Sequence, residues 1–93
     1  MADEILTKQP SESRRYDIDF TALLVSADVI DAVTSVTAAP SGLTIGNPSI
    51  SSPKIQVRIS DGDDGTLYKI TAIVTTTGLD TLELDVFLRV EDS

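Results

Sequence analysis

The 93-residue sequence contains no cysteine, no histidine and no tryptophan. The absence of cysteine excludes a disulfide framework and any thiolate metal site. The absence of histidine removes the commonest general base and the commonest metal ligand, so the abundant serines have hardly a base to activate them. Aromatic residues make up only 4% of the chain, which disfavours stacking against sugars. The composition therefore indicates no enzyme class and no cofactor, and we expect a non-enzymatic protein.

Positive charge is also scarce, because 7 Lys and Arg residues stand against 15 Asp and Glu residues, for a net charge of −8. This balance disfavours binding to nucleic acid or to anionic lipid, both of which attract basic proteins. Apolar runs are far shorter than the roughly 20 residues that cross a bilayer. The acidic N-terminus does not resemble a secretory leader. We therefore expect neither a nucleic-acid partner nor a membrane partner.

β-Branched residues are plentiful instead. Val, Ile and Thr account for 28 of the 93 residues, a share that favours pleated sheet over helix. Apolar residues alternate with polar ones over 54–60, 66–76 and 82–90, so each segment is predicted to be a strand with one buried face. Thr77–Asp80 is predicted to close a hairpin. Residues 61–65 are predicted to form an acidic hairpin turn whose two glycines suit positive φ.

The N-terminal half is less regular. Its sequence predicts strands over 15–20 and 28–38, short strands over 43–45 and 49–51, and a single helical turn over 21–24. One side of the 28–38 strand is predicted to carry Ile30, Ala32, Thr34 and Val36. The other side carries Val29 and Val33, so coverage of both faces is expected there.

Together these segments predict an all-β fold, namely an immunoglobulin-like antiparallel β-sandwich of six or seven strands. A small closed barrel is the alternative. Residues 1–14 are polar and aperiodic, and we expect them to be an extended N-terminal arm. Residues 15–93 are expected to form one Ig-like β-sandwich domain, since domains of about 100 residues are common.

The clearest acidic cluster is Asp61, Asp63 and Asp64, which lies among two glycines. A helix–loop–helix calcium loop is excluded, because it needs a bidentate Glu at its twelfth position, where this chain has Ala72. An irregular Ca²⁺ site, a simple turn and a contact with a partner protein are the interpretations left open by the sequence.

Other candidate residues are few. Asp17 and Asp19 project from one strand face, where paired carboxylates could serve glycoside hydrolysis, but no aromatic platform accompanies them and a solvated face is the better interpretation. Arg14-Arg15 is the only basic doublet and either pairs with an acidic partner or is solvated. Phe87 lies on the polar face of the last predicted strand, where it either contacts a protein or is covered by a loop or by the N-terminal arm.

The order and spacing of several short motifs resemble a known family. These motifs are a Lys-x-Pro start, a Tyr-x-x-Asp-aromatic strand, a glycine-containing turn that ends in Tyr, and a Thr-Thr-x-Gly hairpin. In this chain they are Lys8-Gln9-Pro10, Tyr16-Asp17-Ile18-Asp19-Phe20, Asp61-Gly62 with Gly65-Thr66-Leu67-Tyr68, and Thr75-Thr76-Thr77-Gly78. Over roughly residues 8–90 the sequence is similar to the small phage fiber-tail adaptor proteins of tailed bacteriophages. It departs from their pattern at Phe20, where Trp is expected, and at Asp61, which replaces the first glycine of the turn.

The resemblance implies a β-sandwich virion protein that links tail fibres, spikes or neighbouring tail components through protein–protein contacts. It implies a location in the tail or neck, in multiple copies, after synthesis in the bacterial host cytoplasm. A neck or capsid decoration protein of similar fold and a carbohydrate-binding β-sandwich module are the alternatives. The polar N-terminal segment could order on a neighbouring protein. The candidate partner-binding residues are Lys8, Pro10, Arg14, Arg15, Asp61, Asp63, Asp64 and Phe87.

Overall fold

The protein is built from strands. A computed structural model describes residues 5–24 and 28–92, and within them the chain forms no helix and so none that could span a membrane. The strands are β1 (Ile5–Lys8), β2 (Arg14–Asp19), β3 (Ile30–Ala39), β4 (Leu43–Ile45), β5 (Ser49–Ser51), β6 (Lys54–Asp61), β7 (Thr66–Thr76) and β8 (Thr81–Val90). The all-β prediction is confirmed, and β4, β5 and β7 have the predicted bounds.

The first sheet has the strand order β1-β8-β7-β3. β7 and β8 form the hairpin that their alternation predicted, in a register that runs from Thr66 opposite Val90 to Thr75 opposite Thr81. β3 pairs antiparallel with β7, whereas β1 runs parallel to β8. β1 and β3 are therefore the two edges of this sheet.

The second sheet is centred on β6. β2 pairs with one side of β6, while β4 and β5 share the other side, with β5 beside residues 54–56 and β4 beside residues 59–61. After β2, the N–H of Leu24 donates to the carbonyl oxygen of Phe20 at 3.1 Å, which forms the predicted helical turn. Two edges result, one made by β2 and one made by the two short strands.

The inner faces of the two sheets meet in one apolar core, so the chain is a β-sandwich with four strands in each sheet. Alternate residues of β6, β7 and β8 supply most of the core, as their alternation predicted. The largest fully buried side chains are Tyr68, Phe20, Ile18, Ile55, Ile59, Ile70, Leu88, Val57, Val74 and Val90. Each buried aliphatic side chain stabilises the fold by about 1.5–3 kcal/mol. The sandwich therefore derives its stability from aliphatic packing, without disulfides.

The prediction for β3 is wrong in its side-chain phase. Two register shifts against β7 interrupt the alternation, because a bulge places an extra residue in one strand and reverses the faces that follow. The residues opposite the buried face of β7 are Ile30, Val33, Val36 and Ala38. Ala32 and Thr34, predicted to share a side with Ile30, are exposed. Val29 is 45% exposed, so the expected coverage of both faces is wrong as well.

Residues 61–65 do not form the predicted hairpin turn. β6 belongs to the second sheet and β7 to the first, so this connection carries the chain from one sheet to the other. The positive φ expected of its glycines is confirmed, with values of 104° at Gly62 and 83° at Gly65. A Cβ atom at Gly62 would lie 2.8 Å from Cγ2 of Val90, so the close packing as well as the backbone requires glycine.

The Thr77–Asp80 hairpin loop is confirmed, and its positive φ falls at a residue other than its glycine. The residue with positive φ is Leu79, at 68°, which is 91% exposed. A Cβ atom at Gly78 would lie 2.9 Å from Oδ2 of Asp28. The same carboxylate accepts the Thr77 hydroxyl at 2.6 Å and the Gly78 N–H at 2.9 Å through Oδ1. Gly78 thus makes room for a carboxylate that holds the loop.

The division into an arm at 1–14 and a domain at 15–93 stays a prediction. Among residues 5–14, β1 extends the first sheet, Leu6 packs against the core, and Lys8 is only 2% exposed. This additional strand raises the number in the described residues to eight, against the six or seven predicted. A four-residue strand that ends in a buried lysine has no alternation by which the sequence could reveal it.

Candidate interaction surfaces

Phe87 lies half-buried on the outer face of the first sheet, between two neighbouring strands. β1 places Ile5 directly beside it, and β7 places Lys69 on its other side. Ile5 is 54% exposed, and Leu67 on the same face of β7 is 43% exposed. The N-terminal strand thus flanks Phe87 without covering it, and the aromatic ring forms part of an accessible apolar surface.

Charged side chains border this apolar surface, and we call the apolar and charged residues together the Phe87 face. Its members are Ile5, Leu67, Lys69, Asp85, Phe87 and Arg89. Lys69 Nζ lies 3.5 Å from Asp85 Oδ2, and Arg89 Nη1 lies 3.9 Å from Glu91 Oε1. Exposed ion pairs of this kind add only about 0–1 kcal/mol to stability. An apolar centre with a charged rim is, however, the arrangement that protein–protein interfaces share.

The three carboxylates of the connection 61–65 have separate local environments. Thr44 Oγ1 donates to Asp61 Oδ2 at 2.5 Å, and the Asp92 N–H donates to Asp64 Oδ1 at 3.0 Å. The backbone N–H of Asp63 donates to the hydroxyl oxygen of buried Tyr68 at 2.9 Å. Within residues 5–24 and 28–92, no group of three or more acidic side chains is gathered as metal ligands. Asp61 and Asp64 instead hold the connection in place.

Lys8 ends β1 with its side chain turned into the protein. Its Nζ donates to the carbonyl oxygen of Gln9 at 2.7 Å and to that of Pro10 at 3.2 Å. The Gln9 N–H donates to Glu12 Oε1 at 2.8 Å, and the Glu12 N–H returns to the Gln9 carbonyl oxygen at 3.1 Å. Charge-assisted hydrogen bonds of this kind are strong, so Lys8 stabilises the following loop from inside.

The two arginines at the start of β2 are exposed and face different surroundings. Arg14 borders an open cavity of about 300 Å³, which Thr7, Lys8, Gln9, Glu12 and Glu91 also line. Arg15 projects from the outer face of the second sheet, directly opposite Arg58 of β6. Within the part of the chain that the structure describes, no carboxylate forms an ion pair with either arginine of the doublet.

One end of the sandwich collects several of the predicted contact residues. The Glu91 N–H donates to the Lys8 carbonyl oxygen at 2.9 Å, and the Gly65 N–H donates to the Val90 carbonyl oxygen at 2.7 Å. The end of β8 therefore joins the N-terminal loop to the acidic connection. Six of the predicted contact residues lie around this end, namely Lys8, Pro10, Arg14, Asp61, Asp63 and Asp64. Phe87 lies on the neighbouring sheet face, and Arg15 lies on the other sheet.

Sequence reasoning missed Ile5, Leu67 and Arg58 as surface candidates. Leu67 could have been identified from the sequence, because it is apolar at an outward position of the alternating segment 66–76. Ile5 and Arg58 gain their places only through pairing with distant segments, beside Phe87 and opposite Arg15 respectively. No local signal marks such neighbours.

Asp17 and Asp19, the carboxylates considered for hydrolysis, do not line the cavity beside Arg14. The Asp19 carboxylate accepts one hydrogen bond from the hydroxyl of Thr21 and another from its backbone N–H. These bonds, the first more than the second, hold the pKa of Asp19 below its ordinary value. A carboxyl group with a lowered pKa is poorly suited to act as a general acid near neutral pH. Asp17 lies exposed on the outer face of β2.

Tyr16 donates its hydroxyl to the Thr7 carbonyl oxygen at 2.8 Å, and burial raises the pKa of this tyrosine.

The fold is a small β-sandwich, and its surface carries an apolar face with a charged rim. Surfaces of this kind suit contact with other proteins. The sequence matches the model of a family described as podophage GP4 fiber-tail adaptor protein gp77 over residues 8–89. Because the match covers most of the chain, the chain belongs to this family of phage tail adaptors, and the predicted family is confirmed. No curated protein sequence matches the chain significantly.

Proposed function

We propose that this chain is a non-enzymatic adaptor in the tail of a podophage virion, where it joins tail fibres or spikes to neighbouring tail components. Its family membership over residues 8–89 supports an adaptor role and a tail location. The observation that carries the contact mechanism is the Phe87 face, with Ile5 and Leu67 exposed beside the aromatic ring. Burying this face against a partner removes apolar surface from water, which stabilises a complex by about 25 cal/mol per Å² before association costs are counted.

A second contact region lies at the end of the sandwich where the acidic connection meets the N-terminal loop. Pro10, Arg14, Asp63 and Asp64 are accessible or half-buried there. Lys8 supports this region from inside, because its ammonium group donates hydrogen bonds to the backbone carbonyl oxygens of Gln9 and Pro10. Two separate regions are what an adaptor needs in order to hold two different neighbours.

Repetition in the virion would strengthen each contact. Several copies of the adaptor would repeat each contact, and linked contacts gain strength from their high effective concentration.

The net charge of −8 disfavours nucleic acid and anionic membrane as partners. Family membership supports other tail, neck or fibre proteins as the proposed partners, which would meet the adaptor after its synthesis in the host cytoplasm.

The test is incorporation of variants into virions. We expect Phe87→Glu and Leu67→Glu to fold but to be lost from purified particles, because a buried unpaired charge weakens an interface severalfold or more. Thr37→Glu is the matched control, since Thr37 is exposed on the outer face of the same sheet, on β3. Mass spectrometry of the particles gives the amount incorporated, and circular dichroism confirms folding.

Normal incorporation of both Phe87→Glu and Leu67→Glu would refute the Phe87 face as a contact. Absence of the wild-type chain from particles would refute the adaptor function itself. Saturable binding of glycans by the purified chain in calorimetric titration would favour the carbohydrate-binding alternative instead.

A further inference from the structure

The outer face of the second sheet carries an unfavourable pair of charges. Arg15 of β2 and Arg58 of β6 are direct cross-strand partners, and both are exposed. Further along the same two strands, Asp19 stands opposite Lys54. Opposite charges across a strand pair stabilise a sheet, and like charges destabilise it. The charge pairing between β2 and β6 is therefore favourable where Asp19 faces Lys54 and unfavourable where Arg15 faces Arg58.

Nothing within the described ranges neutralises the two arginines. The ion pairs formed by residues 5–24 and 28–92 lie on the first sheet. Asp17 is two residues from Arg15 on the same face, but its carboxylate forms no ion pair with either guanidinium group. Acidic residues outnumber basic ones by 15 to 7 in this chain, so a shortage of carboxylates does not explain the unpaired arginines.

The surroundings of Arg58 leave its guanidinium group oriented and accessible. Its Nη1 donates to the carbonyl oxygen of Ser13 at 3.1 Å and to Ser13 Oγ at 3.4 Å. Because Ser13 directly precedes β2, these bonds draw the guanidinium group toward the strand that carries Arg15. On the other flank lies Gly46, where a Cβ atom would sit 3.4 Å from Arg58 Cβ. Gly46 thus adds no side chain of its own over Arg58, which is exposed.

We propose that Arg15 and Arg58 together bind the carboxylates of an acidic segment on a neighbouring tail protein. The inference rests on the adaptor function proposed above and assigns a partner chemistry to a second face of the adaptor. Guanidinium groups bind carboxylates through two parallel hydrogen bonds, and an acidic segment would replace the repulsion between the arginines with two attractive contacts. The net charge of −8 repels an acidic protein at long range, so this recognition depends on short-range contacts and on no electrostatic steering.

The probe is a capped tetraglutamate peptide, added to the full-length chain at physiological salt while the arginine Nε–H signals are followed by NMR. We expect saturable shifts of the Arg15 and Arg58 signals, and at least about fivefold weaker binding in Arg15→Gln and Arg58→Gln. Lys54→Gln removes the same charge from the same face and should change the affinity by less than about twofold. A capped tetraglutamine peptide should not bind.

Thermal unfolding of the same variants gives a second readout. Arg15→Gln should raise the midpoint by about 2–4 °C at low salt, because it removes a like-charge pair, and this gain should vanish in high salt. Absence of tetraglutamate binding to the wild type, or an equal loss in Lys54→Gln, would overturn the proposal. Failure of this binding with intact incorporation into virions would refute the acidic partner alone and leave the adaptor function standing.

Discussion

Asp61 occupies a backbone conformation that few side chains accept. Its φ of 64° lies in the left-handed region, where glycine is favoured and Asp or Asn is tolerated. The hydrogen bond from Thr44 to its carboxylate offsets part of the conformational cost. The family pattern that the sequence resembles has glycine at this position, and the conformation supplies the physical reason.

Substitution of Asp61 should separate backbone strain from side-chain contacts. Asp61→Val should lower the free energy of unfolding by about 1–2 kcal/mol, because a β-branched residue is strained at positive φ. Asp61→Gly should leave stability within about 0.5 kcal/mol of wild type, since relief of strain compensates for the lost hydrogen bond. Urea unfolding measures both. Asp63→Val is the control and should have little effect, and equal stability of Asp61→Val and Asp61→Gly would contradict the argument.

β1 is an element that the tertiary structure creates. It covers the edge of β8 by parallel pairing, and an uncovered edge is a site of unwanted strand addition. Its two apolar residues face opposite ways. Leu6 packs against the core, whereas Ile5 is 54% exposed on the Phe87 face. One short strand thus serves stability with one side chain and the proposed contact with the other.

The two faces of β1 can be tested independently. Leu6→Asp should lower the free energy of unfolding by about 1–3 kcal/mol, because it places a charge against the apolar core. Ile5→Asp should change it by less than about 0.5 kcal/mol, because that side chain is already in solvent, yet it should reduce incorporation into virions. Urea unfolding and particle composition give the two readouts. Loss of stability in Ile5→Asp equal to that in Leu6→Asp would mean that the faces are wrongly assigned.

Two carboxylates, the exposed Asp19 and the half-buried Asp28, link the stability of the whole molecule to pH. Hydrogen bonds from Thr77 and then Thr76 hold the pKa of Asp28 below its ordinary value of 3.8, and bonds from Thr21 do the same for Asp19. A carboxyl group whose pKa is lower in the folded state stabilises the fold above its unfolded pKa. That contribution is lost as the pH falls through the folded value. These hydrogen bonds are therefore stronger to the ionised form of each carboxyl group than to its protonated form.

We expect stability to be nearly constant from neutral pH down to about pH 5 and to decline below about pH 4. The double variant Asp19→Asn, Asp28→Asn should be less stable at neutral pH and should decline less steeply in acid. Urea midpoints measured across this range give the comparison. An unchanged acid slope in the double variant would show that other carboxylates dominate the acid response.

The sequence by itself determined the strands of the C-terminal half and their buried faces. Successive side chains of a strand point to opposite faces, so the alternation over 54–60, 66–76 and 82–90 specifies both the strand and its inner side. The chain also carries enough ordered motifs, from Lys8 to Gly78, to place it in its family. These features are local or depend on order alone, and no knowledge of pairing is needed to recognise them.

The tertiary structure alone decided which distant residues become neighbours. The bulges of β3, the position of Ile5 beside Phe87 and the opposition of Arg15 to Arg58 all depend on the register between segments far apart in sequence. Register is set by the summed packing of two strands against one core, and a local alternation carries no information about its partner. For that reason the strands with clear alternation could be predicted from the sequence, whereas β1 and the neighbours that complete each surface could not.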